Sequence, residues 1–384
     1  MLDQKLDQKR VGEFIAKLRK ERGLTQSALA EALCVTHQAV SKWENGASLP
    51  DPEVLMAMRG VFGVSVDNIL DGHVPDPTPV EAPDSSASDQ AGANAHQNIV
   101  TEDRIVVFDT LTFESPVRVH HCTIHGQAHF KADVVSDTVT VTGHGMFDGS
   151  ITAAQFAVPG AARVGKQVQA DVISVAGSLA AGGGVSCDKL HSSGQMRCGG
   201  GMECDAIHNS GALAVAGGVT ADELSSTGEM TVGGGVDGKE MKNIGVAAIG
   251  GGITSHEFIS KGVLTLGGGL HADTVTLSGQ FRLGGGISAT RASITLSESD
   301  CKAAGISAQN LEIKRSCDFP GGILKVGDVT ADHADVENLH ADKVKIQTGR
   351  IGDGCRIRRL QCGPDVEIAP AAEIGEVTRS DGQG

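Results

Sequence analysis

The sequence has little aromatic content: among 384 residues there are one Trp, no Tyr and ten Phe. A core built without large rings has to be narrow and lined by Val, Ile, Leu and Ala. No apolar run of about 18 residues occurs, so no stretch qualifies as a membrane-spanning helix. The start, MLDQKLDQKR, lacks the apolar segment of a secretion signal. The nine Cys are scattered, odd in number and without a CxxC pair. That pattern argues against a disulfide framework and for reduced, buried thiols, as in a soluble cytoplasmic protein. Phosphate-binding and nucleophile-elbow motifs are also missing. The glycine runs are followed by no helix, which excludes a dinucleotide fingerprint. The net charge of −15 is uneven, since residues 1–72 are near neutral and residues 101–384 carry −10. An acidic chain of this kind does not bind nucleic acid by bulk charge.

What is abundant is glycine, and it is periodic. GGG begins at Gly182, Gly199, Gly233, Gly250, Gly267 and Gly284, with AGG at Ala216 completing a constant step of 17 residues. With the first glycine as position 1, position 4 is apolar in every unit, from Val185, Met202 and Val219 to Ile287. Position 9 runs Leu190, Ile207, Leu224, Met241, Phe258, Val275 and Ala292. Positions 15 and 17 are apolar in six of the seven units, failing together at Glu298 and Asp300, and position 13 is glycine from Gly194 to Gly279. The register extends back through Val117, Val134, Ile151 and Val168 at position 4.

A fixed period of this size means one small unit stacked many times. Apolar residues two apart are the mark of a strand, and no stretch is free of glycine for long enough to form a helix. Glycine belongs at corners, where the backbone needs positive φ or close approach. Three short strands with glycine corners make one coil of a parallel β-helix, in which positions 4, 9, 15 and 17 stack into apolar ladders. A loose glycine-rich linker does not hold apolar residues in phase. After Asp300 the phase slips, and LHADKVKI at 339–346 echoes LHADTVTL at 270–277, so the coils are expected to continue to about Val377.

Residues 11–72 have a different texture. Val11, Phe14, Ile15 and Leu18 fall at helical spacing, Thr25, Thr36 and Ser65 are helix caps, and Asp51-Pro52 opens a further helix. The expectation is an all-α bundle of five short helices. The elements LTQ, ALAEAL, V-T-x-x-x-V-S-x-W-E-x-G and L-P-D-P all lie within LRKERGLTQSALAEALCVTHQAVSKWENG and the LPDPEVLMAM that follows it. This stretch resembles the helix-turn-helix domains of the Cro and phage-repressor (XRE) family, with Cys34 where the family has a glycine in the turn. The resemblance implies that Gln26 contacts the DNA backbone and that the third helix enters the major groove. Thr36, His37, Gln38, Ser41 and Lys42 are then the candidate contacts to double-stranded DNA. Gln38 is able to pair with adenine, and Lys42 to meet a phosphate or guanine. Arg19 and Glu44 would form an internal ion pair, and Ala39, Val40 and Trp43 would pack the helix.

Residues 73–100 are rich in Pro, Ala, Ser and Asp without periodicity, and read as a flexible linker between the helix-turn-helix domain (1–72) and the β-helix (101–384). The repeat domain resembles the bactofilins, polymer-forming bacterial cytoskeletal proteins. That likeness implies a single right-handed β-helix that joins end to end without a nucleotide. No catalytic residue, cofactor or metal site is assigned. His191 and His208 stack at position 10 and His120, His121, His125 and His129 cluster near the first coil, but zinc needs three or four convergent ligands. Two readings of function follow. One is a sequence-specific DNA-binding regulator, not an enzyme, whose β-helix drives homo-oligomerisation. The other is a cytoskeletal scaffold tethered by its helix-turn-helix domain.

Overall fold

The computed structural model describes residues 8–21, 25–26, 29–30, 33, 35–50, 54–55, 58, 62, 64, 66–72, 98–316 and 321–380. The chain divides into two compact units, Met1–Gly92 and Ala93–Gly384.

In the first unit the described residues form three continuous helices, α1 (Gln8–Glu21), α2 (His37–Glu44) and α3 (Val66–Asp71). The expectation of five helices is therefore not supported. The second and fourth expected helices fall mostly outside the described residues, although Gln26, Leu29 and Ala30, and Val54, Leu55, Met58 and Phe62, are helical. Cys34, Asp51, Pro52 and Ser65 also lie outside them. The apolar face that α1 presents, Val11, Phe14, Ile15 and Leu18, closes with Leu29, Leu33, Val40, Trp43, Met58 and Ile69 into one buried cluster. Burying side chains of this size stabilises by about 1.5–3 kcal/mol each. Gly12 lets α1 cross close to α2, because a Cβ there would lie 2.1 Å from the Trp43 carbonyl oxygen.

The second unit is a β-solenoid of about sixteen coils. Each regular coil has a long strand, such as Val185–Ser192, and a short strand, such as Gln195–Cys198. Each pairs in parallel with its equivalent 17 residues on, Val185 with Met202 and Met196 with Leu213. The pairing skips position 7 (Asp171, Asp188, Asp205), so the long strand bends there. Two paired stretches and the short strand make the three sides read from the sequence.

Positions 4, 9, 15 and 17 point inward, as Val185, Leu190, Met196 and Cys198 show, and merge into one core running the length of the solenoid. The few rings concentrate at its start, where Phe113, Phe130 and Phe147 stack with centroids 4.5 and 4.9 Å apart. The inward set also includes position 11. It is apolar at Ile124, Val141, Val158 and Val175, then polar at Ser192, Asn209, Ser226, Asn243 and Ser260, all buried. Asn209 Nδ2 donates to Ser226 Oγ and Asn243 Nδ2 to Ser260 Oγ, each at 3.1 Å. These two bonds favour the observed register, since a slip would take the amide nitrogens away from the Ser226 and Ser260 hydroxyls.

Close approach, rather than positive φ, explains the glycine at position 13 from Gly194 to Gly262, whereas Gly279 also has φ +118°. A Cβ on Gly228 would lie 2.1 Å from the Gly211 oxygen, and one on Gly245 1.9 Å from the Gly228 oxygen.

Three further expectations are corrected. The repeat keeps its phase through the first slip, since Ile287 pairs with Ile306. Beyond that, Ile306 pairs with Val329 and Val329 with Val344. Leu339 pairs with Leu324, which pairs with Cys301, so it sits in the short-strand column and not in the column of Leu270. The echo of LHAD is thus out of phase. Where the triple-glycine corner is lost, the two strands fuse into one, Leu324–Val336 and then Leu339–Ile351.

The second correction concerns the thiols: Cys187 and Cys204, neighbours at position 6 with Cα atoms 4.7 Å apart, form a disulfide. Cys122, Cys198, Cys301, Cys355 and Cys362 are free and buried, as expected. Burial pushes the Cys122 thiol up to about 12, which keeps it protonated and unreactive.

The third concerns the end nearest the first coil. Ile99–Val100, included in the linker above, folds back antiparallel on Arg104–Val107, and Asn98 Oδ1 accepts from the Phe108 and Asp109 amides. That edge is therefore partly covered. At the other end Glu373–Arg379 pairs, among the described residues, on one side only, with Arg356–Cys362.

Candidate nucleic-acid interface

The candidate interface is built on α2. Thr36 has extended backbone (φ −78°, ψ 148°) and its Oγ1 accepts from the Ala39 amide at 3.2 Å, so it is the N-cap. Asn45 closes the helix, and Gly46 follows at φ +69°, the left-handed position a helix C-terminus favours for glycine. These two signals fix the ends of α2, and Val40 and Trp43 fix its rotation by burying one face. His37, Gln38 and Lys42 are exposed on the other face, with Ser41 half-buried between them. Their spacing of one, four and five residues is that of a single helical stripe. Asn45, four residues beyond Ser41, belongs to the same stripe, and its Nδ2 donates to Ser41 Oγ at 3.4 Å. The sequence reading missed it. The signal available was the i, i+4 interval from Ser41.

Besides Ser41, two more of the six residues singled out are engaged within the domain. Thr36 Oγ1 is used in capping. Gln26 Nε2 donates to Glu44 Oε2 at 2.7 Å, joining the expected ion pair, in which Arg19 Nε and Nη2 reach Glu44 Oε1 and Oε2 at 2.5 and 2.9 Å. Arg19 and Glu44 side chains are only 11% and 6% exposed, so this bidentate pair is sheltered from water. Burial alone would push the Glu44 carboxyl up. The hydrogen bonds from Arg19 and Gln26 and the Arg19 charge outweigh it and hold the group below the usual glutamate range. Arg19 is raised correspondingly, chiefly by its hydrogen bond to Glu44. The pair ties the end of α1 to the end of α2 and brings Gln26 beside it. The amide of Gln26 is thereby oriented from behind, and whatever it presents forward is set by the framework.

The histidines of the solenoid do not converge. His120 meets Asp137, His121 Thr138, His125 Thr142 and His129 Asp148, at 2.7 to 2.9 Å, each a partner in the next coil. The rings of His191 and His208 lie with centroids 5.3 Å apart and are tilted by 33° to each other. Among the described residues no group of three or more His, Cys, Asp or Glu is placed to hold a metal ion. Nor is any described helix long and apolar enough to cross a membrane.

Residues 15–69 match the family described as helix-turn-helix. Over 60 residues the chain is 42% identical to the HTH-type transcriptional activator BcrR of Enterococcus faecalis, covering 16% of this chain and 29% of that protein. It is 36% identical over 61 residues to the SPbeta prophage-derived uncharacterized HTH-type transcriptional regulator YonR of Bacillus subtilis (16% and 56%). It is 43% identical over 75 residues to the HTH-type transcriptional regulator DicA of Escherichia coli (19% and 56%). The chain thus spans between about a third and somewhat over half of the relatives it matches. No solved structure matches it. The matches, the capped α2 and the Arg19–Glu44 pair coincide on one segment, and residues 15–69 form a helix-turn-helix domain of the XRE type in a chain that continues as a β-solenoid.

Proposed function

We propose that this protein is a sequence-specific, double-strand DNA-binding transcriptional regulator whose β-solenoid mediates self-assembly. The observation that carries the DNA-binding half is the stripe His37, Gln38, Ser41 and Lys42 on α2, polar and outward along its length while the opposite face is buried. In this reading α2 lies in the major groove, Gln38 reads a base edge, Lys42 meets a phosphate or guanine, and Gln26 and Thr36 contact the backbone. The domains assigned to these roles are 1–72 for DNA and 101–384 for assembly, joined by 73–100. The test is selection of bound duplexes from a random library. Enrichment of one motif supports regulation, and recovery without enrichment refutes it.

A second reading, a bactofilin-like scaffold tethered through its helix-turn-helix domain, is favoured by the strand Glu373–Arg379. Among the described residues its outer edge has no strand partner and Val377 is 46% exposed, so it offers a template for another chain. Electron microscopy of the purified protein separates the two. Filaments in the absence of DNA favour the scaffold, and discrete particles that bind one motif favour the regulator.

A further inference from the structure

The outward residues of the solenoid are sharply segregated by side. The long strands carry the charge. In one coil alone Asp237, Lys239, Glu240 and Lys242 point outward. The side made by the short strands is different. Over the nine strands from His144–Phe147 to Gln280–Leu283 the formally charged outward residues are Arg163, Arg197, Glu229 and Arg282. The others are mostly Ala, Ser, Thr and Val. Met146, Val246 and Val263 are 47%, 47% and 38% exposed on this side, the last two on neighbouring coils.

The relief of this side is complementary to itself. One half holds an open hollow of about 380 Å³ lined by small side chains, Ala161, Ser178 and Ala180 among them, together with His144, Met146 and Arg163. The other half carries the projecting Val246 and Val263. The strand Ala212–Val215 stands midway between them, with four short strands on each side. A two-fold axis along that strand sets Val246 of one copy on Ser178 of the other and Val263 on Ala161. It also sets Gln195 on Glu229, with Arg197 one step along the strand from that carboxylate. The alternative, with the two-fold along the solenoid axis, would bring Arg197 beside its own copy and leave Glu229 unmatched. The first arrangement also sets Arg282 on Met146 and Arg163 on Thr265, but of the two it is the one that gives Glu229 an arginine neighbour.

We propose that the short-strand side is a homodimer interface, on which a second copy of this chain packs antiparallel about Ala212 and Ala214. The proposal deepens the self-association proposed above and adds to the unpaired strand edge at the end a separate, lateral contact. Nine strands at about 4.8 Å spacing and four residues wide give a face of roughly 43 by 13 Å. The pair then buries on the order of 1,100 Å² or more in total, at the lower edge of specific interfaces, so a reversible dimer is expected. An isologous two-fold contact is also the commonest way for a soluble chain to pair.

The test uses cysteine cross-linking in the full chain. Ala214 faces its own counterpart across the axis, so Ala214→Cys should form a covalent dimer under mild oxidation, with the native chain as baseline. Ala248→Cys alone should not, but should cross-link when mixed with Ala180→Cys, its counterpart in the other copy. In sedimentation from micromolar to near-millimolar concentration, Val246→Glu should weaken the dimer at least tenfold and leave the circular dichroism spectrum unchanged. Association that persists with no cross-link at Ala214 and no effect of Val246→Glu overturns this face while keeping assembly through the ends. A native chain that is monomeric at every concentration overturns both.

Discussion

The register of the solenoid is most directly tested at Val236, which is 3% exposed between Val219 and Ile253, and at its exposed neighbour Asp237. Val236→Asp removes an apolar side chain whose burial is worth about 1.5 kcal/mol or more. It also places a carboxyl between two hydrocarbon side chains that offer it no hydrogen bond. A fully buried carboxyl is pushed up by about 3–5 pKa units, and each unit corresponds to 1.36 kcal/mol. At neutral pH the group stays protonated in the fold at a cost of about 4 kcal/mol, so the whole change should destabilise by roughly 5–6 kcal/mol. The sign follows from linkage. The folded-state value is the raised one, so the electrostatic part is absent below the unfolded value near 4 and grows as pH rises through it. The difference from the native chain should therefore shrink to about 2 kcal/mol at pH 4, the packing loss alone. Asp237→Val should stay within about 0.5 kcal/mol at either pH. Urea titration followed by circular dichroism measures both. Coils couple mainly to their neighbours, so Val236→Asp should also split the transition, as coils near it melt first. Equal and mild effects of the two changes, or a Val236→Asp penalty independent of pH, would refute the assignment of position 4 to the core.

Four other outcomes follow from particular contacts. Gly245→Ala should destabilise by about 2 kcal/mol or more, because its Cβ would meet backbone of the preceding coil at 1.9 Å, whereas Ala248→Gly, on the outer side, should cost about 1 kcal/mol at most; melts of the two variants check this. The Glu44 carboxyl is held low by Arg19 and Gln26, so the stability it contributes is present above the ordinary glutamate value and is lost as pH falls through its depressed one. Glu44→Gln should lower stability at pH 7 and flatten the acid limb, read from the tryptophan fluorescence of Trp43. Lys42→Ala should reduce the salt dependence of DNA binding by about one counterion if it meets phosphate, whereas Gln38→Ala should relax preference at one base position at a cost of about 1–3 kcal/mol; binding isotherms at several salt concentrations distinguish them. Denatured without reductant, the chain should titrate two fewer thiols than after reduction, and loss of that difference in Cys204→Ser would assign it to the Cys187–Cys204 pair.

Much of the architecture is written in local arithmetic. A 17-residue interval with apolar residues at positions 4, 9, 15 and 17 admits few structures, because each coil must bury its residues against the coils on either side. The outward stripe of α2 was equally legible, since Thr36, Val40, Trp43 and Gly46 fix the ends and rotation of a helix by nearest-neighbour chemistry alone. What remained hidden depends on which chain segments meet. Nothing in the sequence marks position 11 as inward at Asn209 and Asn243, yet both are buried, and each amide nitrogen donates to Ser226 or Ser260 one coil away. Glycine at position 13 is open in the sequence to either positive φ or close approach, and from Gly194 to Gly262 the carbonyl in the preceding coil decides for close approach. The echo of LHAD misled for the same reason. After the triple glycines end, the column a residue occupies is set by hydrogen bonding to the previous coil, and Leu339 follows Leu324 into the short-strand column. The pairing of Cys187 with Cys204, and the charge-poor side centred on Ala212 and Ala214, likewise exist only once coils are stacked. Periodicity determines that residues 17 apart are neighbours; only the stacked structure decides which side of the neighbour each one meets, because that depends on where every coil bends.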